Sequence, residues 1–183
     1  MQNVMQDIKT IFNREVMPLI NIGKYNLAEK KLKLIYMENY HELKNLEDKR
    51  LIVYNLAWLL AKQNRYDESK FYLLDLKNEM EQDKSYMEEY ENKYCNLLML
   101  YIEVDQDIPK EEYYNNCKML NQYYKRIGAK EQELITAYNI AIIEKNTQKI
   151  NEILIYINKN KDVNFARKEI LSKIKNKGEE YYV

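Results

Sequence analysis

The sequence predicts an all-α fold, a right-handed solenoid of about four helical hairpins followed by a C-terminal helix. Three observations support this prediction. The 183 residues include only three glycines and two prolines, which is typical of long helices joined by short turns. Residues 52–76 form two amphipathic runs separated by a short polar break, and the apolar residues of the first run have helical spacing. Related segments recur about every 40 residues, a spacing typical of helical repeats.

The central hairpin is the clearest unit of the chain. Its first helix is predicted near residues 47–63, where Leu56 and Leu60 lie on one face. Its second helix is predicted over residues 67–82, with Asp67 as the N-cap. A single hairpin of this kind cannot bury its apolar face alone, so it indicates similar neighbours.

The other helices are predicted from the same kinds of signal. Pro18 should kink or break the first helix, and Gly128 should end the sixth in the C′ role. No domain boundary is evident, and residues 178–183 are expected to fray. The predicted helices cover residues 3–22, 26–38, 47–63, 67–82, 86–104, 110–126, 130–145, 147–157 and 165–175.

Two turn segments carry a shared motif. Residues 23–28 read GKYNLA and residues 64–69 read NRYDES, so Gly or Asn precedes Tyr by two positions and Ala or Ser by five. This pattern resembles the turn of tetratricopeptide repeats. With a step of about 40 residues, the chain resembles the peptide-binding repeat domain of Rap- and PlcR-type regulators of low-GC Gram-positive bacteria. The resemblance covers roughly residues 12–158 and implies a TPR-like solenoid that binds peptides in its concave groove.

A series of asparagines is the best candidate binding site. Asn55, Asn96 and Asn139 are predicted to occupy the same place on successive first helices, and Arg14 takes that place in the first hairpin. The resemblance implies that first helices line the groove, where amides suit the donors and acceptors of a peptide backbone. Trp58 lies three residues from Asn55 and is the predicted aromatic contact. Alternatively, a frequent residue recurs by chance, or the amides bridge adjacent helices.

Composition and motifs argue against several other function classes. The 29 basic residues balance 29 acidic ones, so no net charge attracts nucleic acid or anionic lipid. No apolar run approaches the roughly 20 residues that span a bilayer, and we expect a cytoplasmic protein. The lone His41 lies in a polar connector, and no nucleophile motif, metal-ligand spacing or phosphate loop is present. We therefore expect no catalytic residue, no metal site and no cofactor, and nucleic acid is an unfavoured partner.

The sequence thus predicts a non-enzymatic, regulatory module that binds a peptide or protein segment in its groove. Residues 1–23 are assigned to the first repeat, so we expect neither the helix-turn-helix nor the effector-binding bundle that those regulators carry ahead of their repeats. The alternative is a dedicated antagonist or adaptor, such as a phage- or plasmid-borne inhibitor, that grips a folded partner. Both hypotheses leave homodimer formation open.

Overall fold

The computed structural model describes residues 7–39, 45–105 and 107–176. The connector with His41 and the end predicted to fray, residues 178–183, lie outside these ranges. Every regular element within them is helical, so the all-α prediction is confirmed. The α-helices of these ranges are α1 (Ile8–Glu15), α2 (Met17–Asn21), α3 (Tyr25–Asn39), α4 (Leu46–Lys62), α5 (Tyr66–Gln82), α6 (Lys84–Glu89), α7 (Glu91–Val104), α8 (Lys110–Ile127), α9 (Lys130–Ile143), α10 (Thr147–Lys159) and α11 (Asn164–Asn176).

The chain divides into two compact units, Met1–Gln106 and Asp107–Val183, and each is described by itself. In the first unit, α3 packs against α4, α4 against α5, and α5 against α7. In the second unit, α8 packs against α9, which also contacts α10 and α11. By their order in the sequence alone, we call α1 with α2, α4, α7 and α9 the first helices, and α3, α5, α8 and α10 the second helices. Adjacent helices therefore pack in pairs, as the solenoid prediction requires.

Four turns share one backbone geometry. Gly23, Asn64, Gly128 and Lys145 have positive φ angles of 72°, 59°, 71° and 55°. In each turn the next residue donates its N–H to the carbonyl five residues earlier, which is the main hydrogen bond of a Schellman C-cap. These bonds run from Lys24 to Leu19 (2.9 Å), Arg65 to Leu60 (3.0 Å), Ala129 to Tyr124 (2.9 Å) and Asn146 to Ala141 (2.9 Å).

These turns offer a matched pair of substitutions. Gly23→Ala should lower the free energy of unfolding by about 1–2 kcal/mol, because an L-residue is strained at positive φ. An added Cβ would meet no atom within 4 Å, so the backbone alone sets this cost. Lys145→Gly should raise the stability by about 1 kcal/mol or less, since it relieves the same strain. Urea denaturation of both variants checks the two signs, and a stabilised Gly23→Ala protein would contradict this geometry.

Three local features refine the predicted elements. The helix breaks at Val16, and Pro18 lies in the first turn of α2, where its missing N–H costs little. The prediction of one continuous helix over residues 86–104 is wrong. The backbone departs from helical angles at Tyr90 (φ −119°, ψ 37°), and this break separates α6 from α7. Asp67 is not an N-cap, because α5 begins one residue earlier and Asp67 falls in its first turn.

The burial pattern gives a repeat step of 41 residues on the first helices. Two sets of residues with this step lie in the core, each at most 7% exposed. The first set is Phe12, Val53, Tyr94 and Ile135. The second set is Val16, Ala57, Leu98 and Asn139. Asn139 is therefore equivalent to core residues of the earlier first helices, and not to Asn96, which lies 43 residues before it.

Ion pairs tie successive hairpins together in the first unit. On α3 the carboxylate of Glu29 is 8% exposed and accepts hydrogen bonds from Nη1 of Arg65 at 2.7 and 2.9 Å. Forty-one residues after Glu29, Nζ of Lys70 on α5 bonds Oδ1 of the buried Asp105 at 2.7 Å. Glu29 and Lys70, which are equivalent in the repeat, thus each form an ion pair with a residue later in the chain, and the charges of the two pairs are reversed.

Candidate functional site

The first helices of the first unit expose the same four positions of the repeat. On α4 these positions are spaced i, i+4, i+7 and i+11, so they form one stripe along the helix. Residues 41 positions earlier and later are likewise exposed or half-buried. We call this surface the open face; it comprises Thr10, Arg14, Met17 and Asn21 on α1 and α2, Leu51, Asn55, Trp58 and Lys62 on α4, and Asn92, Asn96, Met99 and Glu103 on α7.

The 41-residue step assigns equivalent positions of the open face to rows, and α1 contacts α4 and α4 contacts α7. Two neighbouring rows differ in chemistry, one carrying hydrogen-bonding groups and the other large apolar side chains. The polar row is Arg14, Asn55 and Asn96, and the apolar row is Met17, Trp58 and Met99. These two rows contain four of the five predicted site residues, Arg14, Asn55, Trp58 and Asn96.

The members of the polar row differ in how much they are already engaged. Asn55 is half-buried, and its Nδ2 donates to the carbonyl of Leu51 at 2.7 Å within α4. Asn96 is exposed. The side chain of Arg14 is 54% exposed, and its Nη2 bonds the adjacent Glu15 at 2.5 Å. A ligand could thus bind Asn96 directly and approach the amide oxygen of Asn55, to which no described residue donates.

Trp58 lies at the centre of the apolar row. Its ring meets the Tyr25 ring edge-on, with centroids 5.8 Å apart and planes at 82°. Nζ of Lys62 lies 5.5 Å from the centroid of the indole, a favourable cation–π contact. The ring also packs on the hydrophobic core, but the residue remains half-buried. Trp58 is therefore held in a fixed orientation while part of its surface faces solvent.

Asn139 does not belong to the open face. It is 7% exposed, and its Oδ1 accepts a hydrogen bond from Nζ of Lys173 on α11 at 2.9 Å. It also bonds the buried thiol of Cys117, whose pKa burial raises. With the 41-residue step, Ala137 takes the place equivalent to Asn96. The predicted equivalence of Asn139 with Asn55 and Asn96 is therefore corrected, because α11 covers this part of α9.

Met17 and Met99 are candidate site residues that the sequence reasoning missed. Each lies 41 residues from Trp58 and is half-buried. The step that located Asn96 would have located them too, had it been applied to the tryptophan. Methionine side chains are flexible and polarisable, so they adapt readily to the shape of a bound segment.

Across residues 7–39, 45–105 and 107–176, no group of three or more His, Cys, Asp or Glu side chains is placed to hold a metal ion. No helix in this part of the chain has the length and apolar character needed to cross a membrane.

Comparison with protein-family models, curated proteins and solved structures finds no significant match to this chain. The resemblance to tetratricopeptide repeats therefore rests on the two turn motifs and on the pairing of the helices.

Proposed function

We propose that this chain is a non-enzymatic, regulatory module of TPR-like helical hairpins that binds a peptide or an unstructured protein segment on the open face. The observation that carries the proposal is the repeated exposure of hydrogen-bonding side chains beside an apolar row, at a constant step of 41 residues. Asn55 and Asn96 lie outside the buried core, while Met17 and Trp58 pack partly against it and are only half-buried.

The two rows suit the backbone and the side chains of an extended ligand, respectively. Asn55 and Asn96 carry amides that pair with the donors and acceptors of a peptide backbone. The row of Met17, Trp58 and Met99 offers apolar surface to ligand side chains. Packed helices lie about 8–10 Å apart, and about three residues of extended chain span that distance. An extended ligand that crosses the helices would therefore place every third residue over the next helix.

A displayed library of random linear peptides provides the probe for this proposal. We expect the intact chain to select binding peptides, and Asn55→Ala/Asn96→Ala to weaken their binding about five- to hundredfold, as for the loss of two hydrogen bonds. Fluorescence anisotropy of a labelled selected peptide gives the affinity of each variant. The matched control is Asn26→Ala/Asn151→Ala, which removes two exposed amides outside the open face.

The control should bind as the unaltered chain does. Equal losses in both double variants, or no loss in either, would contradict the assignment of the open face as the binding surface. Circular dichroism of each variant confirms that helicity is retained.

A further inference from the structure

The second helices of the first unit expose an apolar stripe on α3. Leu27, Leu34 and Met37 are 48%, 51% and 74% exposed and lie on one side of the helix. The repeat provides an internal comparison, because the equivalent residues on α5 are all polar: Glu68, Asp75 and Asn78. The fold therefore does not require apolar residues at these positions. An exposed row of apolar residues on one side of a helix instead indicates an interaction surface.

The same side of α5 has complementary chemistry. Phe71 is 71% exposed and stands among the acidic residues Asp67, Glu68 and Asp75, which lie within about one turn of it. The side chains of Glu68 and Asp75 are 52% and 59% exposed. The exposed Phe71 ring thus has carboxylates before and after it along α5; Glu68 also pairs with Arg65, and Asp75 with Lys49, of the same copy.

The apolar stripe of α3 is flanked by exposed cations instead. Lys24 precedes the helix, and Lys30 lies between Leu27 and Leu34; all are exposed. The basic, apolar surface of α3 is therefore the chemical complement of the acidic, aromatic surface of α5.

The start of α5 is linked to α3, and both helices pack on one core cluster. Arg65, at the start of α5, bonds Glu29 of α3. Tyr72 of α5 packs on the core cluster that contains Leu32 and Ile35 of α3. Because α3 and α5 are second helices related by the 41-residue step, their exposed surfaces face the same side of the first unit.

We propose that two copies of this chain form a dimer through this surface, with α3 of each copy packed against α5 of the other. We call the surface the dimer face; it comprises Lys24, Leu27, Lys30, Leu34 and Met37 from α3, and Asp67, Glu68, Phe71 and Asp75 from α5. Each copy contributes both halves, so a two-fold axis closes the assembly. Phe71 enters the apolar stripe, and the lysines meet the carboxylates.

Charge distribution favours a second copy over an anionic lipid surface as the occupant. A lipid surface would attract Lys24 and Lys30, but it would repel the carboxylates of α5 that share the same face. Only a partner that is acidic opposite α3 and basic opposite α5 satisfies both halves. A second copy, turned by the two-fold rotation, has that arrangement.

Paired charge reversals test the dimer. Analytical ultracentrifugation over a concentration series should show a dimer for the intact chain. Lys24→Glu/Lys30→Glu and Asp67→Lys/Asp75→Lys should each raise the dissociation constant by about a hundredfold, because like charges then oppose each other. An equimolar mixture of the two variants should restore dimers, since each reversed half then meets its complement. The matched control is Lys168→Glu/Lys175→Glu on α11, which should remain dimeric.

Some results would overturn the proposal. They are an intact chain that is monomeric at every concentration, charge-reversed variants that dimerise alone, or a mixture that stays monomeric although both variants are folded by circular dichroism. Met37→Asp supplies a second variant at a largely exposed position, and it should also be monomeric. A monomeric chain that used this face only for another protein would equally refute the dimer. Peptide binding at the open face is a separate property, so its success or failure does not affect this test.

Discussion

Arg65→Met is expected to lower the free energy of unfolding by about 2–4 kcal/mol. The carboxylate of Glu29 is 8% exposed and accepts two hydrogen bonds from this guanidinium. Removing one partner of a buried ion pair leaves a charge that water reaches poorly, which costs about 3–5 kcal/mol in a fully buried pair. Lys33 and Gln63 also bond Glu29, so part of that cost is avoided.

The matched control is Arg14→Met, whose partner Glu15 is 26% exposed. A surface ion pair contributes about 1 kcal/mol or less, so this variant should be nearly as stable as the unaltered chain. Urea denaturation at neutral pH compares the two variants. Equal effects would show that the ion pair between Glu29 of α3 and Arg65, in the turn between α4 and α5, is no stronger than a surface contact.

The effect of Arg65→Met should also depend on pH. Burial by itself would raise the pKa of Glu29, but hydrogen bonds from Lys33, Gln63 and Arg65 outweigh it and hold the pKa below its ordinary value of 4.5. A carboxyl with a lowered pKa in the folded state stabilises the fold above the pKa of the unfolded state, and this contribution is lost as the pH falls through the folded pKa. The stability difference between Arg65→Met and the unaltered chain should therefore shrink below about pH 4.5.

Leu32→Ala is expected to lower the free energy of unfolding by about 2–5 kcal/mol, because it leaves a cavity in a close-packed core. Leu32 is fully buried and belongs to the cluster that joins α1, α3 and α4. The matched control is Leu34→Ala, two residues along the same helix and 51% exposed. In dilute solution this control should change the stability by about 0.5 kcal/mol or less.

The two leucines thus test the phase of α3 directly. If Leu34→Ala were the more damaging substitution in dilute solution, the helix would be rotated relative to this structure. The dimer face would then be the buried side of α3. Thermal or urea unfolding followed by circular dichroism is sufficient for this comparison.

The helical class and most of the turns were predictable because their signals are local. Gly23 and Gly128 can adopt positive φ without strain, and both end helices where they were expected to. Lys145 adopts the same geometry without any such signal in its side chain. There the local sequence has no preference for the turn, so packing of α9 against α10 has to impose it.

The register of α9 within the repeat could not be predicted by matching residue types between hairpins. The segment around Asn139 repeats the order Tyr-Asn of the central hairpin, yet burial follows the 41-residue step and places Asn139 in the core. Its environment depends on α11, a helix that lies 25 residues or more away in the chain. Conversely, Asn55 and Trp58 share one face of α4 because the spacing i, i+3 depends only on helix geometry. The 41-residue step then gives Arg14 and Asn96 the equivalent position on α1 and α7.

Fluorescence of Trp58 during peptide titration tests the open face most directly. The chain contains a single tryptophan, so all of its indole emission comes from the centre of the apolar row. A saturating, tryptophan-free peptide from the displayed library should shift this emission to shorter wavelength, because the exposed part of the ring loses contact with water. The shift should saturate at the affinity measured by anisotropy and should weaken in Asn55→Ala/Asn96→Ala. Peptide binding of full affinity with no change in Trp58 emission would contradict the account.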